Sequence, residues 1–163
     1  MRRVLKLHDT VTDEWRRLGE ETTGADALIV PLAELRAQPD TWRARTGRLG
    51  AQLAPADAVE DLVELLPALT LVDVLFPGPG EGRGFSQGRL LRQRFQFEGE
   101  LRASGAAVKQ DKLFLLARCG FDAFALAPGE SYEQARRALR SYSVAYQRGD
   151  DNIRVRYRSN GPS

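Results

Sequence analysis

Leu69-Thr70-Leu71-Val72-Asp73-Val74-Leu75-Phe76 is an apolar run of strand length. It passes directly into Pro77-Gly78-Pro79-Gly80-Glu81-Gly82-Arg83-Gly84-Phe85-Ser86. Proline and glycine exclude both helix and sheet ladder from that second stretch, which therefore reads as a loop. Gln87 to Phe95 then reads as a helix with Ser86 as its N-cap. Gly99-Glu100-Leu101-Arg102-Ala103 follows as a second strand, closed by Ser104-Gly105. Together these form one βαβ unit whose first loop is rich in glycine and carries an arginine.

Working outward, Arg2 to His8 alternates as a short strand, Asp9-Thr10 turns, and Val11 to Trp15 returns, giving a small N-terminal β-hairpin. Ala27-Leu28-Ile29-Val30-Pro31 is a compact buried strand. Leu32 to Arg36 starts a helix that Pro39 interrupts, with Asp40 as cap of a further turn through Trp42. Leu49 to Leu53 is a weaker strand. Between Pro55 and Pro67, Val59, Leu62, Val63 and Leu66 form the stripe of an amphipathic helix over 56–66. Beyond the central unit, Val108 to Arg118 reads as a helix. Leu113, Phe114, Leu115 and Leu116 nearly surround it, so it should be well buried, and Cys119-Gly120 stops it. Asp122 to Leu126 is a last strand. Ser131-Tyr132-Glu133-Gln134 is a capping box opening a helix to about Ser141, on which Tyr142 and Tyr146 pack.

Five strand candidates alternating with helices imply an α/β fold with a mostly parallel sheet and right-handed βαβ crossovers. The spacing suits either an open three-layer sheet or a partial β/α barrel, plus the N-terminal hairpin. A single domain is expected over 1–163, with 1–20 as hairpin and entry segment and 148–163 as a polar tail.

The 163 residues carry 24 Lys+Arg against 22 Asp+Glu. A charge so near balance argues against a nucleic-acid partner. Cys119 is the only cysteine and His8 the only histidine, which excludes an intrachain disulfide, a cysteine zinc cluster and a multi-histidine metal site. No metal or cofactor is expected. No apolar run approaches the roughly 20 residues that span a bilayer, and the basic N-terminus lacks a signal peptide's apolar core. A cytoplasmic protein without membrane contact is expected.

Chemistry is expected where βα loops gather at the carboxyl ends of the strands. The loop around Gly82, Arg83, Gly84 and Ser86 offers backbone amides at a helix start, and Arg83 adds a charged fork. Arg89, Arg102 and Gly105 complete an anion site on this reading, while Arg92 and Arg94 read as solvated helix-face residues. The loop fits neither a Walker nor a Rossmann fingerprint. Asp111, Arg118, Cys119 and Asp122 are further polar or reactive candidates, although Asp111 can equally complement a helix dipole and Cys119 can pack as a small apolar residue. No catalytic residue is assigned.

Three blocks carry a resemblance. They are Phe76-Pro77 with Gly82-Arg83-Gly84-Phe85-Ser86 and Arg89-Leu90-Leu91-Arg92; Gly99 to Ala103 with Gly105; and Asp111 with Arg118-Cys119-Gly120-Phe121-Asp122-Ala123-Phe124. The chain resembles the bacterial domain of unknown function 934 family, whose genes tend to accompany sulfite reductase. Some members are labelled oxidoreductases involved in sulfite reduction. Three positions depart from the family's pattern: Glu81 stands where an Asp is usual, Phe85 where a Tyr is usual, and Asp111-Lys112 where Asp-Gln is common.

The resemblance implies an accessory protein of assimilatory sulfite reduction that binds a small oxyanion or docks on sulfite reductase. Two alternatives stand beside it: a redox or transfer enzyme of sulfur assimilation, and an interaction module without a small ligand. A homodimer is compatible with either. Whether the protein turns over a substrate is left open by a sequence with no catalytic motif.

Overall fold

The computed structural model describes residues 2–20 and 26–149, with side chains as far as residue 141. The strands are β1 (Arg3–Lys6), β2 (Thr10–Thr12), β3 (Arg16–Arg17), β4 (Ala27–Pro31), β5 (Arg48–Leu53), β6 (Leu71–Leu75), β7 (Glu100–Ser104) and β8 (Ala123–Phe124). They form one curled sheet in the order β2-β1-β8-β7-β6-β5-β4-β3. From β3 to β8 every neighbouring pair is parallel, and β1 runs antiparallel to both β8 and β2. The sheet is therefore larger than the five strands expected. The N-terminal hairpin does not pack on it but extends it past β8, and β3 adds the opposite edge.

Helices are α1 (Leu32–Ala37), α2 (Pro39–Arg43), α3 (Arg83–Arg89), α4 (Leu113–Arg118) and α5 (Tyr132–Gly149). Strand residues alternate between faces. Leu28, Val30, Leu49, Ala51, Val72 and Val74 point to the face that also buries Leu35, Leu62, Leu91, Leu116 and Leu139 from the helical side. Ala27, Ile29 and Leu71 point the other way and pack with Trp15 instead. The helices thus make one layer, as sequential right-handed crossovers require. The second helical layer of a three-layer sheet does not occur among the described residues.

Several boundaries differ from expectation for local reasons. The stretch 56–66 is not an α-helix; it contains a 3-10 turn at Val59–Leu62, with another at Leu66–Ala68. Buried side chains recur there every third residue, at Val59, Leu62 and Leu65, while Val63 is exposed. That is the three-residue period of a 3-10 helix. Pro39 opens α2 at its first turn, where its missing N–H is not needed, and Gln38, not Asp40, precedes it as N-cap.

The helix expected from Gln87 begins four residues earlier, at Arg83. Ser86 lies inside it, and the cap position belongs to Gly82. Glu81 accepts the Arg83 N–H through Oε1 at 3.3 Å, which supplies the early start. After Arg89 the helix continues as a π-helical stretch, Leu90–Arg94. In the next crossover only Leu113–Arg118 is α-helical, and Phe114 and Leu115 are exposed rather than buried. Gly120 is left-handed at φ +103° and ends α4 as expected. At α5 the Gln134 N–H donates to Ser131 Oγ at 3.2 Å, the serine half of the expected capping box. The helix runs past Ser141 to Gly149. Tyr142 and Tyr146 side chains, and the tail from 150, lie outside the described residues.

Candidate functional site

The face of the sheet without helices is where polar side chains collect. Cross-strand register sets Gln52, Asp73 and Arg102 side by side on β5, β6 and β7. Because Val72 and Val74 fill the helical face, Asp73 must point to the opposite one. It is fully buried there. Its Oδ2 accepts three hydrogen bonds: Arg17 Nη1 at 2.6 Å, Gln52 Nε2 at 3.2 Å and Ser104 Oγ at 3.1 Å. Its Oδ1 is buried and accepts none. An orphaned buried acceptor costs about 1–3 kcal/mol, and such groups call for a reason beyond packing.

Arg102, the register partner of Asp73 on β7, is 2% exposed, and each of its nitrogens meets a carboxylate. Nη2 and Nε reach Glu100 Oε2 at 2.9 and 3.0 Å, and Nη1 reaches Asp13 Oδ1 at 3.1 Å. Glu100 also pairs with Lys6. Asp13 Oδ1 accepts the Trp15 N–H as well, so the segment leading into β3 is held down over the sheet. Trp15 lies over Gly50, where a Cβ would come within 3.2 Å of the indole.

Toward the carboxyl ends of the strands the same face opens into a cavity of about 570 Å³. Arg2, Arg3 and Arg17 line it, with Gln52 and Ser104 among the lining polar groups. Two of the arginines are already engaged. Arg2 forks onto both oxygens of Glu20 at 2.8 and 3.0 Å, and that hydrogen bond holds the Glu20 carboxyl below its usual range and raises Arg2. Arg17 spends Nη1 on Asp73. Arg3 lies with its guanidinium carbon 4.7 Å from the centre of the Tyr132 ring. Among the described residues it has no carboxylate at ion-pair distance, and the lining carboxylate, Asp13, is already matched by Arg102.

Tyr132 ties the last helix to the first strand. Its hydroxyl donates to the Arg3 carbonyl at 2.8 Å and accepts the Leu126 N–H at 3.1 Å. Burial pushes the phenol above its ordinary pKa. The unfolded chain would ionise first, near pH 10. The tyrosine's contribution is therefore complete below that pH and lost as pH rises above it. Tyr132→Phe is expected to cost about 1–2 kcal/mol at pH 8 and to show a shallower loss of stability between pH 9 and 11. Urea unfolding across that range measures both.

The sequence-derived candidates divide. Gly105 and Arg102 belong to this face. Gly105 lines the cavity at φ +115°, and a Cβ there would lie 2.3 Å from the Phe76 carbonyl oxygen, so only glycine fits the turn. Arg102 is a framework cation whose three nitrogens are each paired with a carboxylate. Gly82, Arg83, Gly84, Ser86 and Arg89 lie on α3 and its lead-in, across the sheet. Arg83 is 69% exposed, with Glu81 at 3.9 Å. Gly84 is a packing glycine, since a Cβ would meet the Phe76 ring at 2.5 Å. Ser86 and Arg89 are exposed, and Arg89 reaches the Cys119 sulfur at 3.6 Å. Cys119 itself is buried in the main core. Asp111 and Arg118 are exposed. Asp122 accepts the Leu101 N–H and pairs with Arg92 at 3.2 Å.

Arg92 corrects the expectation of a solvated residue. Its side chain is 6% exposed and donates to the carbonyls of Gly120, Phe97 and Gly99 at 2.8–2.9 Å. Arg94, by contrast, is exposed beside Glu60.

Residues 50–156 match the family described as "Bacterial protein of unknown function (DUF934)". The chain belongs to that family. The DUF934 match begins on β5, so it takes in Gln52, Asp73, Ser104, Gly105 and Tyr132, while Arg2, Arg3 and Arg17 precede it. A search of curated proteins returned no match. Among the described residues no helix is long and apolar enough to cross a membrane, and no group of three or more His, Cys, Asp or Glu could hold a metal ion.

Asp73 carried a signal that the sequence reading did not use: a lone carboxylate between valines in a buried strand. Arg3 and Arg17 carried none, because only the curl of the sheet brings them to Gln52 and Ser104.

Proposed function

We propose that this DUF934 protein binds an oxyanion group in the arginine-lined cavity at the carboxyl ends of its central strands, as an accessory of sulfite reduction. One observation carries the binding half. Three guanidinium groups meet at a cavity whose lining carboxylate is neutralised elsewhere, which leaves the charge of Arg3 unmatched among the described residues. Arg17 adds donors not spent on Asp73, and guanidinium groups suit oxyanions because their planar fork can present two parallel N–H bonds. The link to sulfur assimilation, and docking on sulfite reductase, rest on the family resemblance. The cavity supports the glycine-rich loop less than the concave face as the place of binding.

The test is thermal unfolding with millimolar sulfate, sulfite or phosphate against chloride at matched ionic strength. An anion at about a hundred times its Kd stabilises by about 2.7 kcal/mol, which is about 5–10 °C for a domain of this size. Arg3→Ala is expected to remove the shift and Arg83→Ala to keep it. The reverse pattern would return the site to the glycine-rich loop. No shift with any of the three anions would end the binding proposal. Failure of sulfite reductase to retain the protein in co-purification would end the docking half.

A further inference from the structure

We infer that the cavity's ligand is an organic anion, an oxyanion head on a carbon body, and not a free inorganic ion. This rests on the binding site proposed above and goes further by naming the ligand class. The cavity, at about 570 Å³, falls in the range that encloses small organic ligands, roughly 300–1,000 Å³. A lone tetrahedral ion held by Arg3 would leave most of that space filled with water.

The lining is also divided by chemistry. Guanidinium groups of Arg3 and Arg17 supply one part. Leu75, Ala106, Ala125, Leu126 and Pro128 supply a wall with carbon side chains. These apolar residues come from three separate places, the last residue of β6 and the segments after β7 and β8, and small side chains at 106, 125 and 127 keep the space open. Charge alone would bind the head. The wall gains only from a body that removes its surface from water.

Head-matched pairs test this on the intact protein. Binding of methanesulfonate and benzenesulfonate, and of methyl phosphate and phenyl phosphate, is measured by calorimetry at constant ionic strength. The aromatic member of at least one pair is expected to bind about tenfold tighter or better, from the apolar area it buries. Arg3→Ala should weaken both members of that pair. Ala106→Trp, at an exposed turn position, should fill the space and reduce the ratio of aromatic to methyl affinity toward one. Equal affinity within both pairs, with binding still dependent on Arg3, overturns the organic-ligand inference and leaves the anion site standing. If none of the four compounds nor sulfate binds, the anion site itself falls.

Discussion

Arg92→Met is expected to lower stability by about 3 kcal/mol, seen as a drop of about 6–12 °C in melting temperature. The guanidinium joins three carbonyls from two segments, Phe97 and Gly99 before β7 and Gly120 after α4. Each would lose a charge-assisted donor in a region that solvent barely enters. Methionine preserves the stem that packs against Gly120, where a Cβ on the glycine would lie 2.4 Å from Arg92 Cγ. The loss therefore reports mainly on hydrogen bonding and not on a cavity. The Asp122 pair is discounted, because 39% of that side chain is exposed and the burial of its carboxyl, which raises its pKa, opposes the attraction of Arg92. Arg92→Lys should recover only part of the loss, because an ammonium cannot match a planar fork aimed at separate carbonyls. Full recovery by lysine would show that charge alone is required.

Arg102→Met is expected to cost about 3–5 kcal/mol, the range for removing one member of a buried ion cluster. Asp13, 8% exposed, would keep only the Trp15 N–H, whereas Glu100 would retain Lys6. The asymmetry makes a specific expectation. Adding Asp13→Asn to Arg102→Met should recover more stability than adding Glu100→Gln, because the first removes the stranded charge and the second breaks a surviving pair. Denaturant titration of the two double variants decides it. Trp15 fluorescence should shift to the red in Arg102→Met, since Asp13 anchors the segment that lays the indole on Gly50.

The order of the five central strands along the chain was legible because they are short apolar runs punctuated by glycine or proline, whereas β3, two arginines, carries no such signal. Val72 and Val74 against the helices, and Gly120 after α4, follow from period and backbone freedom alone. The fates of the arginines did not. Arg102 is buried because Asp13, 89 residues away, meets it. Arg17 reaches Asp73 across 56 residues. No local window distinguishes these from Arg83 or Arg94, which stay in water. The glycines around α3 have a packing reason that local sequence does not show either. Gly84 is small so that α3 can approach Phe76, and Gly88 so that it can approach Phe121. A packing requirement and an anion loop share the same spelling, so the glycines alone do not choose between them.

The bond from Tyr132 to the Arg3 carbonyl joins residues 129 positions apart, and β1 finds its place in the sheet only beside β8. On a ribosome the β1–β2 hairpin emerges first and can pair within itself, yet it must wait for nearly everything downstream before β8 gives it a place beside the parallel strands. The parallel strands between can pair as they appear, but the mouth built from both ends of the chain closes last. Any fusion or truncation that delays the early strand therefore strikes the arginine-lined cavity before it strikes the parallel core.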